Sequence, residues 1–197
     1  MSTKKVVKRA TTNKDPKRPK NIRAIANTKA TGQKRFFLYK NAIEHIEKSI
    51  KDGYYLEAIT LTESLVSDRL ESRLAFITQS SSYDFSPLGN LLEGIRDNEI
   101  EEDLKNLCEI KTGKLYIWKE NRNKSLHQMA KLEENDPKPD WKARKEECKK
   151  IAEDGFELFK NVRDLVAKYK RSVTATVVEK KVPTSKSSVK TKANSKK

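Results

Sequence analysis

From Cys148 to Tyr169, the residues Cys148, Ile151, Gly155, Leu158, Val162, Leu165 and Tyr169 fall at intervals of three and four. That is the period of one face of an α-helix, and a stripe this long has to be covered by other elements. The segments before it have the same character. Phe36, Tyr39, Ile43, Ile46 and Ile50 mark a first helix that stops at Asp52-Gly53. A second runs from Tyr54 to Gln79, with Tyr55, Ile59, Leu65, Leu70, Leu74 and Ile77 among its apolar positions. Ser86 reads as the N-cap and Pro87 as the first residue of a short helix through Leu88, Leu91, Leu92 and Ile95.

After Asp97-Asn98, the acids Glu99, Glu101, Glu102 and Asp103 suit the positive end of a further helix. Leu104, Leu107, Cys108 and Leu115 give its inner face, with a break at Gly113, and the pattern continues through Trp118 to about Leu126. Asp136-Pro137-Lys138-Pro139 is a turn, and Asp140 is placed to cap the last helix. No alternating strand pattern competes. The expected fold is all-α, an antiparallel bundle of four to five helices around one core.

Charge divides the chain into three parts. Residues 1–33 hold ten Lys and Arg against the single acid Asp15, and residues 171–197 hold eight against Glu179. The middle, 34–170, is nearly neutral, so the formal +15 resides in the two ends. Those ends lack the apolar content to offset the cost of ordering, about 1–2 kcal/mol per residue for the backbone. They read as disordered basic arms flanking a helical domain over 34–170. Such arms condense on RNA, DNA or another polyanion by counterion release, or simply aid solubility.

No window approaches the roughly 18 apolar residues of a membrane span, and the N-terminus lacks the apolar stretch of a secretory signal. A cytoplasmic setting with no membrane partner is the expectation. Cys108 and Cys148 have no metal-type spacing and read as reduced, buried thiols. Neither a phosphate-cradling glycine loop nor a metal-binding spacing occurs, so no cofactor and no metal are expected.

Two histidines remain. His45 sits just off the first helix's apolar stripe, and reads as a surface residue near Glu44 or Glu47. His127 closes the stretch Arg122-Asn123-Lys124-Ser125-Leu126-His127, at the end of an amphipathic segment containing Leu115, Ile117 and Trp118. This arrangement resembles the Arg-x4-6-His signature of HEPN domains in the form with Asn directly after Arg. The long second helix and the Ser86–Leu91 stretch before a short helix are also similar to that family. The resemblance covers about residues 36–170.

The resemblance implies a metal-independent endoribonuclease with Arg122, Asn123 and His127 as site residues. In that reaction the 2′-hydroxyl of RNA attacks the adjacent phosphorus, leaving a 2′,3′-cyclic phosphate and a 5′-hydroxyl. Imidazole suits both proton transfers because it titrates near neutrality. Guanidinium stays charged and matches phosphate oxygens. Separate acid and base roles are best filled by two histidines, which points to a homodimer with two copies of the motif in one cleft. The resemblance further implies a toxin or defence role with an antitoxin or regulatory protein as partner. Met129 stands where some family members carry a Tyr that a partner nucleotidyltransferase modifies, which puts that mode of neutralisation in doubt here.

Five residues on a continuous helix rotate about 500°, leaving Arg122 and His127 about 140° apart. Either the helix ends between Asn123 and His127, or the site draws Arg and His from different chains. Asn123 either ends the helix or positions Arg122. From the second helix, Glu63, Asp68, Arg69 and Glu71 are further polar residues able to line a cleft, Glu63 and Arg69 foremost. The alternatives are a non-catalytic nucleic-acid-binding or adaptor bundle and a purely structural helical domain, with Arg122 and His127 as a surface ion cluster at a helix end.

Overall fold

The computed structural model describes residues 29–128 and 140–179, with side chains over 32–127 and 140–169. Among these residues there are six helices and no strand: α1 (Lys29–Asp52), α2 (Tyr55–Thr78), α3 (Leu88–Asn98), α4 (Glu102–Leu107), α5 (Lys114–Gln128) and α6 (Trp141–Glu179). The fold is an all-helical bundle, as the periodicity demands. α1 begins inside the first segment read as an arm, and α6 runs on past residue 170. The remainder of both arms, Met129 and the Asp136–Pro139 turn lie outside the described residues.

α2 and α6 form the centre. They pack most extensively on one another; α1 and α3 lie against α2, and α5 lies against α6. Leu65, Val66, Leu70 and Leu74 of α2 meet a core that includes Ile151, Phe159, Val162 and Val166 of α6. Burying one such side chain contributes about 1.5–3 kcal/mol, which is what holds elements with so many charged outer faces. None of the described helices is long and apolar enough to cross a membrane.

The helix ends follow from local chemistry. Gly53 adopts a φ of 83°, the Tyr54 N–H donates to the Ser49 carbonyl at 2.8 Å, and the Gly53 N–H donates to Ile50 at 3.3 Å. This paired closure uses a left-handed residue that only glycine supplies cheaply. At the start of α6, an Asp140 carboxylate oxygen accepts from the Lys142 N–H at 3.2 Å, so the expected cap is present.

Several sequence expectations need correction. Pro87, not Ser86, occupies the N-cap of α3, and no side chain bonds the exposed N–H groups there. The break read at Gly113 is present and is wider than one residue: α4 and α5 are parted by the turn over 108–113. Gly113 is needed inside that turn, since a Cβ there would lie 2.5 Å from the Glu109 nitrogen and the Leu107 carbonyl oxygen. Glu99 does not serve a helix start. It is buried and receives Nε and Nη2 of Arg73, both at 2.6 Å. Phe36 lies outside the core, because at that level of α1 Arg35 and Tyr39 take the positions turned to α2. His45 turns away from Glu44 and Glu47 and meets Glu57 of α2 at 2.8 Å.

Candidate functional site

α5 places its residues by simple rotation. Leu115, Trp118 and Arg122 are spaced three and four apart, so all three share the face turned toward the bundle. The first two are buried apolar side chains. Arg122 extends that stripe with a cation whose side chain is only 13% exposed. A charge in that position needs partners. Nη2 forms an ion pair with Glu63 of α2, and Nη1 donates to the Asn123 side-chain oxygen at 2.7 Å. Nε is buried and has no hydrogen-bond partner among the described residues. Burial lowers the pKa of Arg122 from its ordinary value, but a guanidinium starts so high that it stays charged at any physiological pH.

Asn123 therefore positions Arg122 and does not end the helix, since α5 continues unbroken to Gln128. His127 occupies the last turn and is exposed. On a continuous helix it faces about 140° away from Arg122. Within one chain, Arg122, Asn123 and Glu63 come together, and His127 does not join them. The first of the two geometric alternatives, a helix end between Asn123 and His127, is thereby removed.

Of the other α2 candidates, none joins this group. Asp68 accepts from Arg35 at 2.7 Å and from the Tyr39 hydroxyl, tying α2 to α1. Arg69 lies over the Tyr39 ring, 4.2 Å from its centroid. Glu71 is buried. Sequence reasoning missed the buried Arg73–Glu99 pair, which links α2 to the segment before α4 and serves packing. Nothing in the spacing of two charged residues 26 positions apart distinguishes such a pair from two solvated side chains.

A groove of about 640 Å³ lies between α5 and α6 over Ile117, Trp118 and Leu158. It receives Asn121 but neither Arg122 nor His127, so it is separate from the motif. Among the described residues, no group of three or more His, Cys, Asp or Glu side chains is arranged to hold a metal ion.

A cation held in one orientation by a carboxylate and an amide can present its remaining N–H edge to a phosphate without first losing rotamer freedom. An exposed imidazole at a helix end can exchange protons with a ligand or with a facing surface. Comparison with protein-family models, with curated proteins and with solved structures finds no match to this chain.

Proposed function

We propose that this chain is a metal-independent endoribonuclease of the HEPN type, acting as a homodimer on cellular or invading RNA in the cytoplasm. The observation that carries the reading is the division of labour along α5. Arg122 is fixed on one side by Glu63 and Asn123, while His127 is exposed on another side of the same unbroken helix. A second copy related by a twofold axis would bring another His127 to the cleft, which one chain alone leaves incomplete.

In the proposed reaction, one His127 takes the proton from the ribose 2′-oxygen as that oxygen bonds to phosphorus. The partner's His127 gives a proton to the departing 5′-oxygen. Arg122 balances the charge that builds on the non-bridging oxygens. The products are a 2′,3′-cyclic phosphate and a 5′-hydroxyl, with no net proton gained or lost. An antitoxin or regulatory protein covering the seam would silence such an activity.

The test uses labelled RNA with wild type, His127→Ala and Arg122→Ala in the presence of a chelator. Cyclic-phosphate ends from wild type alone support the reading, and equal cleavage by His127→Ala removes His127 from the mechanism. A second reading, a non-catalytic nucleic-acid-binding or adaptor bundle, is favoured by the engagement of both Nη atoms of Arg122 within its own chain. It predicts that wild type binds RNA without cleaving it and that neither substitution alters binding.

A further inference from the structure

The start of α1 is arranged unlike the rest of the bundle. From residue 32 to residue 41 every side chain is exposed except Arg35 and Tyr39, which are half-buried. Those two anchor the segment: Arg35 donates to Asp68, and the Tyr39 hydroxyl does the same. The residues between them are apolar. Phe36, Phe37 and Leu38 are 65%, 58% and 68% exposed, and the two rings meet edge to face at 5.7 Å. Consecutive large apolar side chains displayed on a tethered helix mark an interaction surface rather than a stray exposed residue.

The surrounding charge identifies the kind of partner. From Pro16 to Ile43 the sequence contains eight Lys and Arg and no acid. Lys34 and Lys40, both exposed, flank the aromatic pair directly. The partner is therefore a polyanion with apolar surface of its own. Both a nucleic acid and an anionic bilayer have that character, and geometry separates them. Successive residues on a helix point about 100° apart, so Phe36, Phe37 and Leu38 span about 200° of the circumference. No plane touches all three, and a helix that lies in a bilayer surface needs one coherent apolar face. A single strand can bend around the helix and offer a base to each ring.

We propose that Phe36 and Phe37, with Lys34 and Lys40 beside them, form a stacking platform that holds the bases of single-stranded RNA. The rings supply sequence-tolerant stacking and the ammonium groups meet the phosphates. The proposal rests on the ribonuclease reading for its choice of RNA as ligand, and it deepens that reading by naming where substrate is held outside the cleft.

The experiment measures binding of a labelled oligouridine to the full chain carrying His127→Ala, by fluorescence anisotropy across a salt series. Adding Phe36→Ala and Phe37→Ala is expected to weaken binding about tenfold or more, since each lost base contact corresponds to roughly fivefold to a hundredfold. The slope against salt should stay the same, because phosphate contacts are retained. Lys34→Gln with Lys40→Gln should instead make that slope shallower. Phe37→Trp should bind normally and show indole quenching on RNA addition. Unchanged helical circular dichroism confirms that these exposed substitutions leave the fold intact. Unaltered affinity in the double-alanine variant overturns the platform, as does a loss confined to phosphatidylserine vesicles, which would assign the surface to lipid. Weakened RNA binding beside a wild type that yields no cyclic-phosphate ends would remove the nuclease and keep the platform. Wild-type cleavage with unchanged binding by the double-alanine variant would do the reverse.

Discussion

The Trp118 indole of α5 rests on the backbone of Gly155 in α6, so closely that a Cβ at Gly155 would stand 2.4 Å from the indole nitrogen. That nitrogen donates to the Ile151 carbonyl at 2.9 Å, one turn earlier on α6. The glycine is thus the floor on which α5 is seated. Because Arg122 lies one turn beyond Trp118, this contact also sets where the guanidinium arrives beside Glu63.

Gly155→Ala is expected to destabilise the fold. Overpacking against a ring that cannot yield costs about 1–3 kcal/mol, while alanine gains up to about 1 kcal/mol over glycine inside a helix. With the full alanine gain the net loss is up to about 2 kcal/mol, read as a lower urea midpoint. Gly89 in α3 provides the contrast, since nothing lies within 4 Å of a Cβ built there. Gly89→Ala should be neutral or stabilising by up to about 1 kcal/mol. Equal effects at the two sites would refute the seating role of Gly155.

Glu99 makes stability depend on acid. Burial by itself would raise its carboxyl pKa, but the Arg73 bond and the backbone N–H groups of Glu101 and Ile100 outweigh burial and hold it below 4.5. A carboxyl that binds its proton less tightly when folded stabilises the fold above its unfolded pKa. That contribution disappears as pH falls through the lower folded value. Glu99→Gln should therefore flatten the fall in Tm as pH drops through and below the ordinary glutamate range. It also leaves the buried Arg73 without a counter-charge, a loss of about 3–5 kcal/mol at neutral pH. A variant as stable as wild type with an unchanged acid limb would show that the pair is not what the acid titrates.

The two thiols should be inert in the folded protein. Cys108 is completely buried, and that burial pushes its pKa up to about 12. Burial also raises Cys148, against the opposing effect of a hydrogen bond with Ser125. Thiolate is the reactive form, so iodoacetamide at mildly alkaline pH should leave both unmodified until denaturant is added. Mass spectrometry showing a carbamidomethyl group on native Cys108 would contradict its placement.

Much of this architecture is legible in the sequence. The three-and-four spacing from Cys148 to Tyr169 foretells the central helix, and the Asp140 cap foretells where it starts. Periodicity reports that a helix has an apolar side, not which residues its neighbours cover at each level. Phe36 continues the α1 stripe in sequence and yet stands in solvent, because Arg35 and Tyr39 take the positions turned to α2 there. Long-range charge pairing leaves no periodic trace, so Glu99 resembles helix-start chemistry until Arg73 is seen beside it. Within the motif, the proximity of Arg122 and Asn123 follows from adjacency, and Glu63 was a foreseeable partner on α2. Whether α5 persisted through His127 could not be read from Asn123 alone, because asparagine serves equally as a helix terminator and as a side-chain acceptor.

The unbroken α5 helix leads to a stoichiometric test of the proposed cleft. With Arg122 and His127 facing different directions in one chain, the proposed reaction takes one His127 from each of two chains to serve a single phosphate. A dimer of wild type and His127→Ala then has no complete site. Co-refolded mixtures should lose activity as the square of the wild-type fraction, leaving about one quarter when the two are equal. Two independent sites per dimer, each within its own chain, would leave about one half. Exchange is checked by tagging one variant and recovering the other with it, so that a linear response cannot arise from unmixed dimers. A linear decline in verified heterodimers would show that one His127 suffices for each site, whether the Arg122 beside it comes from the same chain or from its partner. The cleft with two histidines at a single phosphate would then have to be abandoned, whatever the rate of cleavage.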